Sequence, residues 1–131
     1  MTGKEILERA LDLCALHTDD IALRDDLQDM KARALGLLNT LIATVTPINM
    51  RLTGKLQDVQ ELTTLAETVD LLPGICGSLL PFALAAVLVA EEDPELSNAF
   101  ADAAREARLA LMRDGVSTRH RIVEVYGTGE A

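Results

Sequence analysis

The apolar residues near the N-terminus fall at helical spacing. They recur three and four residues apart from Ile6 to Cys14, which is the period of one helix face. Thr2 and Glu5 stand just before this series at the spacing of a capping box, in which each side chain binds the backbone N–H of the other residue. The pattern therefore predicts a first helix that ends near Leu16.

A second, longer helix is predicted from Thr18 to Thr46. Thr18, Asp19 and Asp20 supply capping oxygens and negative charge at its start, and Pro47 lacks the N–H that would continue it. Two apolar rows occupy neighbouring faces: Leu23, Leu27, Met30, Ala34, Leu37 and Leu41 in one, and Leu35, Leu38, Ile42 and Val45 in the other. A helix that is apolar on two faces has two partners to contact, so we expect it to be the central element.

The segment from Ile48 to Asp70 follows neither the helical nor the strand period. The residues from Thr53 to Lys55, with glycine between them, are typical of a turn. The rest predicts a loosely ordered connector with room for a short strand pair or one helical turn.

The chain is uncharged from Leu71 to Ala90, which is about the length of a membrane span. Proline and glycine interrupt the first half of this run, and acidic residues flank it without the Lys and Arg that orient a span. The run therefore predicts a buried third helix over residues 74–90. Pro81 within it predicts a kink, or a helix start near Leu80.

Asp93 followed by Pro94 is a strong start signal for a fourth helix, which we expect to end at Gly115. The tail beyond it is basic and apolar in an otherwise acidic chain, which is typical of a docking arm; a frayed tail is the alternative interpretation. This divides the chain into a helical bundle over residues 1–115 and a C-terminal arm over residues 116–131. The candidate partner-binding residues of the arm are Arg119, Arg121, Ile122, Val123, Val125 and Tyr126.

Composition supports one all-α domain, a small bundle of about four helices with an irregular connector. Of the 131 residues 49% are hydrophobic but only 2% are aromatic, so the core consists of aliphatic helices. The net charge of −9 argues against binding DNA through its phosphates, although DNA can pass an acidic wall without adhering to it. Cys14 and Cys76 form no CxxC pair, and we expect both to be buried small hydrophobes in a cytoplasmic protein.

Two acidic clusters are weak candidates for metal chemistry. Asp25, Asp26 and Asp29 match the DDxxD pattern that holds magnesium and diphosphate, but a second acidic motif is missing, and a solvated helix face is the favoured interpretation. The run from Glu91 to Glu95 resembles an EExxE magnesium box, yet Pro94 interrupts it, which favours helix ending and capping.

Neither His17 nor His120 has a second ligand at metal-binding spacing. We therefore predict no enzyme activity, no cofactor and no metal. A magnesium-dependent all-α enzyme that processes nucleotides or diphosphates remains as the alternative, with Asp25, Asp26 and Asp29 as its residues.

Several segments of the chain resemble those of one family. They are Arg33 to Asn39, Glu61 to Leu65, Asp70 to Pro73, Leu79 to Ala86, and Glu91 to Pro94, followed by Phe100. Their order, with a Leu-Pro-aromatic run, an acidic break and a final helix with an early aromatic residue, is similar to that of the small helical head-tail connector (adaptor) proteins of tailed bacteriophages and prophages.

The resemblance implies a structural protein that docks on the portal and extends the DNA channel towards a tail or stopper protein. It implies a homo-oligomeric ring in the virion, with assembly in the host bacterial cytoplasm, no membrane, and DNA passing without sequence-specific contacts; the isolated subunit can be monomeric. A soluble helical module that binds a partner helix through residues 79–90 is a further alternative.

Overall fold

A computed structural model describes residues 1–17 and 33–130, with the backbone alone described at residues 16, 17 and 115–130. Its helices are α1 (Gly3–His17), α2 (Ala34–Thr53), α3 (Leu80–Val89) and α4 (Pro94–Glu130), and a π-helix (Ile75–Leu79) leads directly into α3. The predicted all-α class with four helices is confirmed over these residues.

The capping box at the start of α1 is confirmed. The backbone N–H of Glu5 donates to Thr2 Oγ1 at 3.2 Å, and the N–H of Thr2 donates to Glu5 Oε1 at 3.3 Å. The Thr2 hydroxyl also donates to Glu5 Oε1, at 3.2 Å. The two bonds that Thr2 donates to the Glu5 carboxyl, from its N–H and its hydroxyl, lower the pKa of that carboxyl, because they favour its charged form. The helix ends at His17, one residue beyond the prediction.

The predicted end of the second helix at Thr46–Pro47 is wrong. Pro47 lies inside α2, which continues to Thr53. Pro47 and Ala43, whose carbonyl would have received the missing hydrogen bond, are both exposed, so water can serve that carbonyl. The helix ends instead at Gly54, which has a φ of 71° and donates its N–H to the Met50 carbonyl at 2.8 Å. The predicted first half of this helix lies outside the described residues.

The central element of the bundle is α3, contrary to the prediction for the second helix. The side chains of Leu80, Leu84 and Leu88 are fully buried, and α3 contacts α1, α2 and α4. Because α3 is apolar all round whereas α2 carries threonines on its outer face, only α3 can be enclosed from every side.

The predicted helix start at Leu80 is confirmed, with the π-helix before it. The backbone N–H of Leu80 bonds to the Ile75 carbonyl five residues back. The next residue, Pro81, has no N–H to offer the carbonyl of Gly77 four residues earlier. That carbonyl accepts a hydrogen bond from the Arg9 guanidinium at 3.2 Å, so α1 supplies the donor that the proline lacks.

The connector between α2 and the π-helix is irregular, as predicted, but side-chain amides hold it in place, so the expectation of loose order is wrong. Asn39 Nδ2 donates to the Leu62 carbonyl at 3.0 Å, and the Leu62 N–H donates to Asn39 Oδ1 at 2.8 Å. Asn49 Nδ2 donates to Gln57 Oε1 at 2.5 Å. Among the described residues no strand pair forms; the one isolated β-bridge joins Thr2 and Thr68.

The fourth helix begins as predicted and ends later. Asp93 caps it, since the N–H of Leu96 donates to Asp93 Oδ1 at 3.1 Å. The expected end at Gly115 is wrong: the backbone stays helical to Glu130, because a glycine inside a helix costs only about 1 kcal/mol. Residues 116–130 thus continue α4, and the side chains of the six candidate partner-binding residues lie outside the described ones.

Candidate interaction surface

A groove of about 410 Å³ lies between α2 and α4. Its walls and floor combine aliphatic side chains, alanines and two arginines. They are Leu41, Thr44, Val45, Pro47 and Ile48 from α2, Leu79 and Ala83 from the π-helix and α3, and Ala101, Ala104, Arg105 and Arg108 from α4. We call this surface the α2/α4 groove.

The groove follows from the two apolar rows of α2. Leu38, Ile42 and Val45 are buried, whereas Leu41 and Ile48, on the neighbouring flank, are only partly buried against the core. Residues three and four apart share a helix face, so this half-buried flank runs along the helix as a stripe. Three residues of the second apolar row, Leu38, Ile42 and Val45, therefore face the core, and Leu41 of the first row stays accessible.

Alanine on α4 keeps the groove open. Ala104 is buried and Ala101 is exposed one turn earlier, and neither side chain is long enough to cover Leu41 or Ile48. The sequence predicted a second apolar face on α2 but not the groove that this face forms with α4, because the two helices are distant along the chain. The local signals are the two apolar rows of α2 and a flank of α4 that carries Ala101, Arg105 and Arg108 at helical spacing.

The rim of the groove is basic, although the chain has a net charge of −9. No acidic side chain is among its lining residues, whereas Arg105 and Arg108 are. Arg105 pairs with Asp102 at 3.3 Å, and both side chains are largely exposed, so the pair contributes about 0–1 kcal/mol. Arg108 takes part in none of the ion pairs found among the described residues. The groove is therefore suited to a partner surface that is apolar and acidic.

The connector lies along the flank of α2 opposite the groove. Asn39 and Asn49 of α2 hold it there by hydrogen bonds. On this side Leu56 is 95% exposed and Val59 is 53% exposed. Asp58, between them, is also exposed. Two different apolar surfaces thus flank the same helix.

Both cysteines are buried, as predicted. Burial raises the pKa of the Cys14 thiol to about 11 and also raises that of Cys76, because it disfavours the thiolate. The thiolate is the reactive form of cysteine, so both groups are protected from reaction as nucleophiles.

The acidic run before α4 performs the predicted capping role. Glu91 and Glu92 are exposed in the turn after α3, while Asp93 caps α4 and Pro94 begins it. Within the described ranges, no three His, Cys, Asp or Glu side chains could hold a metal ion.

The remaining candidate ligands fall where the structure gives no side chains. Asp25, Asp26 and Asp29 lie outside the described residues, and the side chains of His17 and His120 do as well.

The alternative docking region at residues 79–90 is largely enclosed. In α3 the most exposed large hydrophobic side chain is Val87, at 38%. Leu79 and Ala83 reach the floor of the α2/α4 groove, but the rest of α3 faces its neighbours. A partner helix therefore has no continuous α3 surface to bind.

None of the helices within the described residues has both the length and the apolarity needed to cross a bilayer. The uncharged run from Leu71 to Ala90 includes the π-helix and α3, whose leucines are buried in the bundle. Comparison of the chain with protein-family models, curated proteins and solved structures found no match.

Proposed function

We propose that this protein is the structural subunit of a phage or prophage head-tail connector, which forms a homo-oligomeric ring on the portal and extends the DNA channel. The observation that carries the proposal is the α2/α4 groove, which leaves part of the apolar flank of α2 accessible. An accessible apolar stripe with a charged rim is the composition of a protein–protein interface.

The long C-terminal helix supports the same proposal. α4 has 37 residues and is therefore about 55 Å long. Leu111 is the last described side chain packed against the core. The helical continuation to Glu130 carries the six residues that the sequence proposes for portal docking, from Arg119 to Tyr126.

The acidic charge also suits a wall that DNA passes. With 21 acidic and 12 basic residues, a ring of such subunits repels phosphates and does not retain the polymer. The function requires no chemical reaction on the subunit. The ring presents binding surfaces to the proteins on either side of it and keeps the DNA channel open.

Two variants on one helix test the role of the groove. Ala101 and Ala99 are both exposed on α4, but only Ala101 lines the groove. Ala101→Glu adds a charged side chain to the groove and is expected to abolish ring formation on the portal protein of the same genome, as observed by electron microscopy. Ala99→Glu is expected to assemble normally, and equal assembly of both variants would count against the proposal.

Truncation after Gly115 tests the helical tail. Because Leu111 and the core helices remain, we expect a folded chain with a native circular dichroism spectrum that no longer binds the portal.

Calorimetric titration with Mg²⁺ and a diphosphate tests the enzyme alternative. A connector is expected to show no heat of specific binding. Saturable binding by the wild type that is lost in Asp25→Asn would support the enzyme alternative.

A further inference from the structure

We infer that the occupant of the α2/α4 groove is the connector segment 56–59 of a second copy of this chain. The inference rests on the proposed function, since it specifies how neighbouring subunits of the ring contact each other. Each copy then uses two different surfaces, one on either flank of α2.

The 56–59 segment has the form of an inserting element. Leu56 is 95% exposed and Val59 is 53% exposed, so both aliphatic side chains are available to a partner. Gln57, between them, turns inward: its Oε1 accepts from Asn49 Nδ2, and its Nε2 donates to the Asp70 carbonyl at 3.3 Å. These bonds hold the backbone, so the apolar side chains are presented in advance of binding.

Charge complementarity between Asp58 and the groove favours this segment. Asp58 is exposed between the two apolar side chains, and the groove lining has Arg105 and Arg108 but no carboxylate. An aliphatic side chain on the apolar floor and a carboxylate at the basic rim match both properties of the surface.

The position of the two surfaces favours a ring. The segment and the groove lie on opposite flanks of α2 and differ in composition, so one copy's segment in the next copy's groove is a heterologous, head-to-tail contact. Such a contact generates a ring when its rotation closes, whereas a self-complementary patch generates a two-fold dimer. The ring proposed for this protein needs the first kind.

Thiol crosslinking between two variants tests the contact. One copy carries Leu56→Cys and the other Ala101→Cys; they are mixed in equal amounts and treated with a short bis-maleimide, and the mass of the assembly is measured in the same sample. Cys14 and Cys76 are buried and remain in place. Ala99→Cys replaces Ala101→Cys in the control. The inference predicts crosslinks between L56C and A101C copies, few between L56C and A99C copies, and none within either variant alone.

Charge exchange supplies a second readout. Arg108→Asp is expected to weaken self-association about ten-fold, and Asp58→Arg in the partner copy to restore most of it. If the chain assembles but L56C crosslinks to L56C, or A101C to A101C, the head-to-tail contact is overturned while the proposed function stands. If the mass shows an assembly but no crosslinks form in it, the head-to-tail contact is also overturned and the proposed function still stands. If no assembly forms at any concentration or with the portal, the inference and the proposed function both fail.

Discussion

The side-chain amide of Asn39 makes two hydrogen bonds to the backbone of Leu62. Asn39 Nδ2 donates to the Leu62 carbonyl at 3.0 Å, and Asn39 Oδ1 accepts from the Leu62 N–H at 2.8 Å. The amide thus satisfies the two groups that a neighbouring strand would otherwise pair. Leu62 is buried, so this bond pair anchors the irregular connector against α2 and holds the flank that carries Leu56 and Val59.

Asn39→Ala is expected to lower the free energy of unfolding by about 2 kcal/mol, because it leaves partly buried backbone groups of Leu62 without a partner. Urea unfolding followed by circular dichroism measures the change. Thr40→Ala is the matched control: its hydroxyl bonds only to the Gly36 carbonyl on the exposed face, and we expect a change within about 0.5 kcal/mol. Equal effects of both substitutions would contradict the anchoring role.

Alanine substitutions at Gly36, inside α2, and at Gly54, which follows its last residue, are expected to have opposite effects. Gly54 has a φ of 71°, so Gly54→Ala should cost about 1 kcal/mol of stability. Gly36 is exposed, and a Cβ there meets nothing within 4 Å, so Gly36→Ala should stabilise the fold by about 0.5 kcal/mol. Thermal unfolding of both variants tests the prediction, and destabilisation by Gly36→Ala would show that this helix start is constrained in another way.

A double-mutant cycle tests whether Arg9 compensates for Pro81. Arg9→Met keeps the aliphatic stem but removes the donor to Gly77, and should cost about 1 kcal/mol. In a Pro81→Ala background the new N–H can reach the same carbonyl, so the cost of Arg9→Met should fall by about 0.5 kcal/mol or more. Chemical unfolding of the four proteins gives the coupling; an Arg9→Met cost that is the same in both backgrounds contradicts the compensation.

The raised pKa of Cys14 predicts a loss of stability in alkaline solution. The thiol has a pKa of about 11 in the folded protein, whereas the unfolded chain loses this proton around the ordinary thiol pKa of about 9. The folded state then binds more protons, so the contribution of Cys14 is complete below pH 9 and is lost as the pH rises towards 11. The difference in unfolding free energy between wild type and Cys14→Ala should therefore shrink over this range. A difference independent of pH would contradict the prediction.

Local signals in the sequence predicted three of the helix starts. The capping pair Thr2 and Glu5, the cap Asp93 and the start at Leu80 depend on residues within one turn of each other, and all three are confirmed. Helix ends were less predictable. Pro47 and Gly115 have a local cost of up to a few kcal/mol, which the packing of a whole helix can exceed.

The α2/α4 groove could not be predicted from the sequence, because it depends on which of two apolar rows faces the core. Both rows of α2 are apolar, and only the positions of α3 and α4 place Leu38 and Ile42 inside and leave Leu41 accessible. The connector was unpredictable for a related reason: Asn39 and Leu62 are 23 residues apart in the chain, and no periodic pattern relates an amide to the backbone it binds.

The most direct test of the central claim is the mass of the complex that this chain forms with the portal protein of the same genome, measured by native mass spectrometry and electron microscopy. The proposed connector predicts a closed ring of several copies on the portal, formed by wild type and Ala99→Glu but not by Ala101→Glu. A folded chain that stays monomeric in the presence of the portal would contradict the claim.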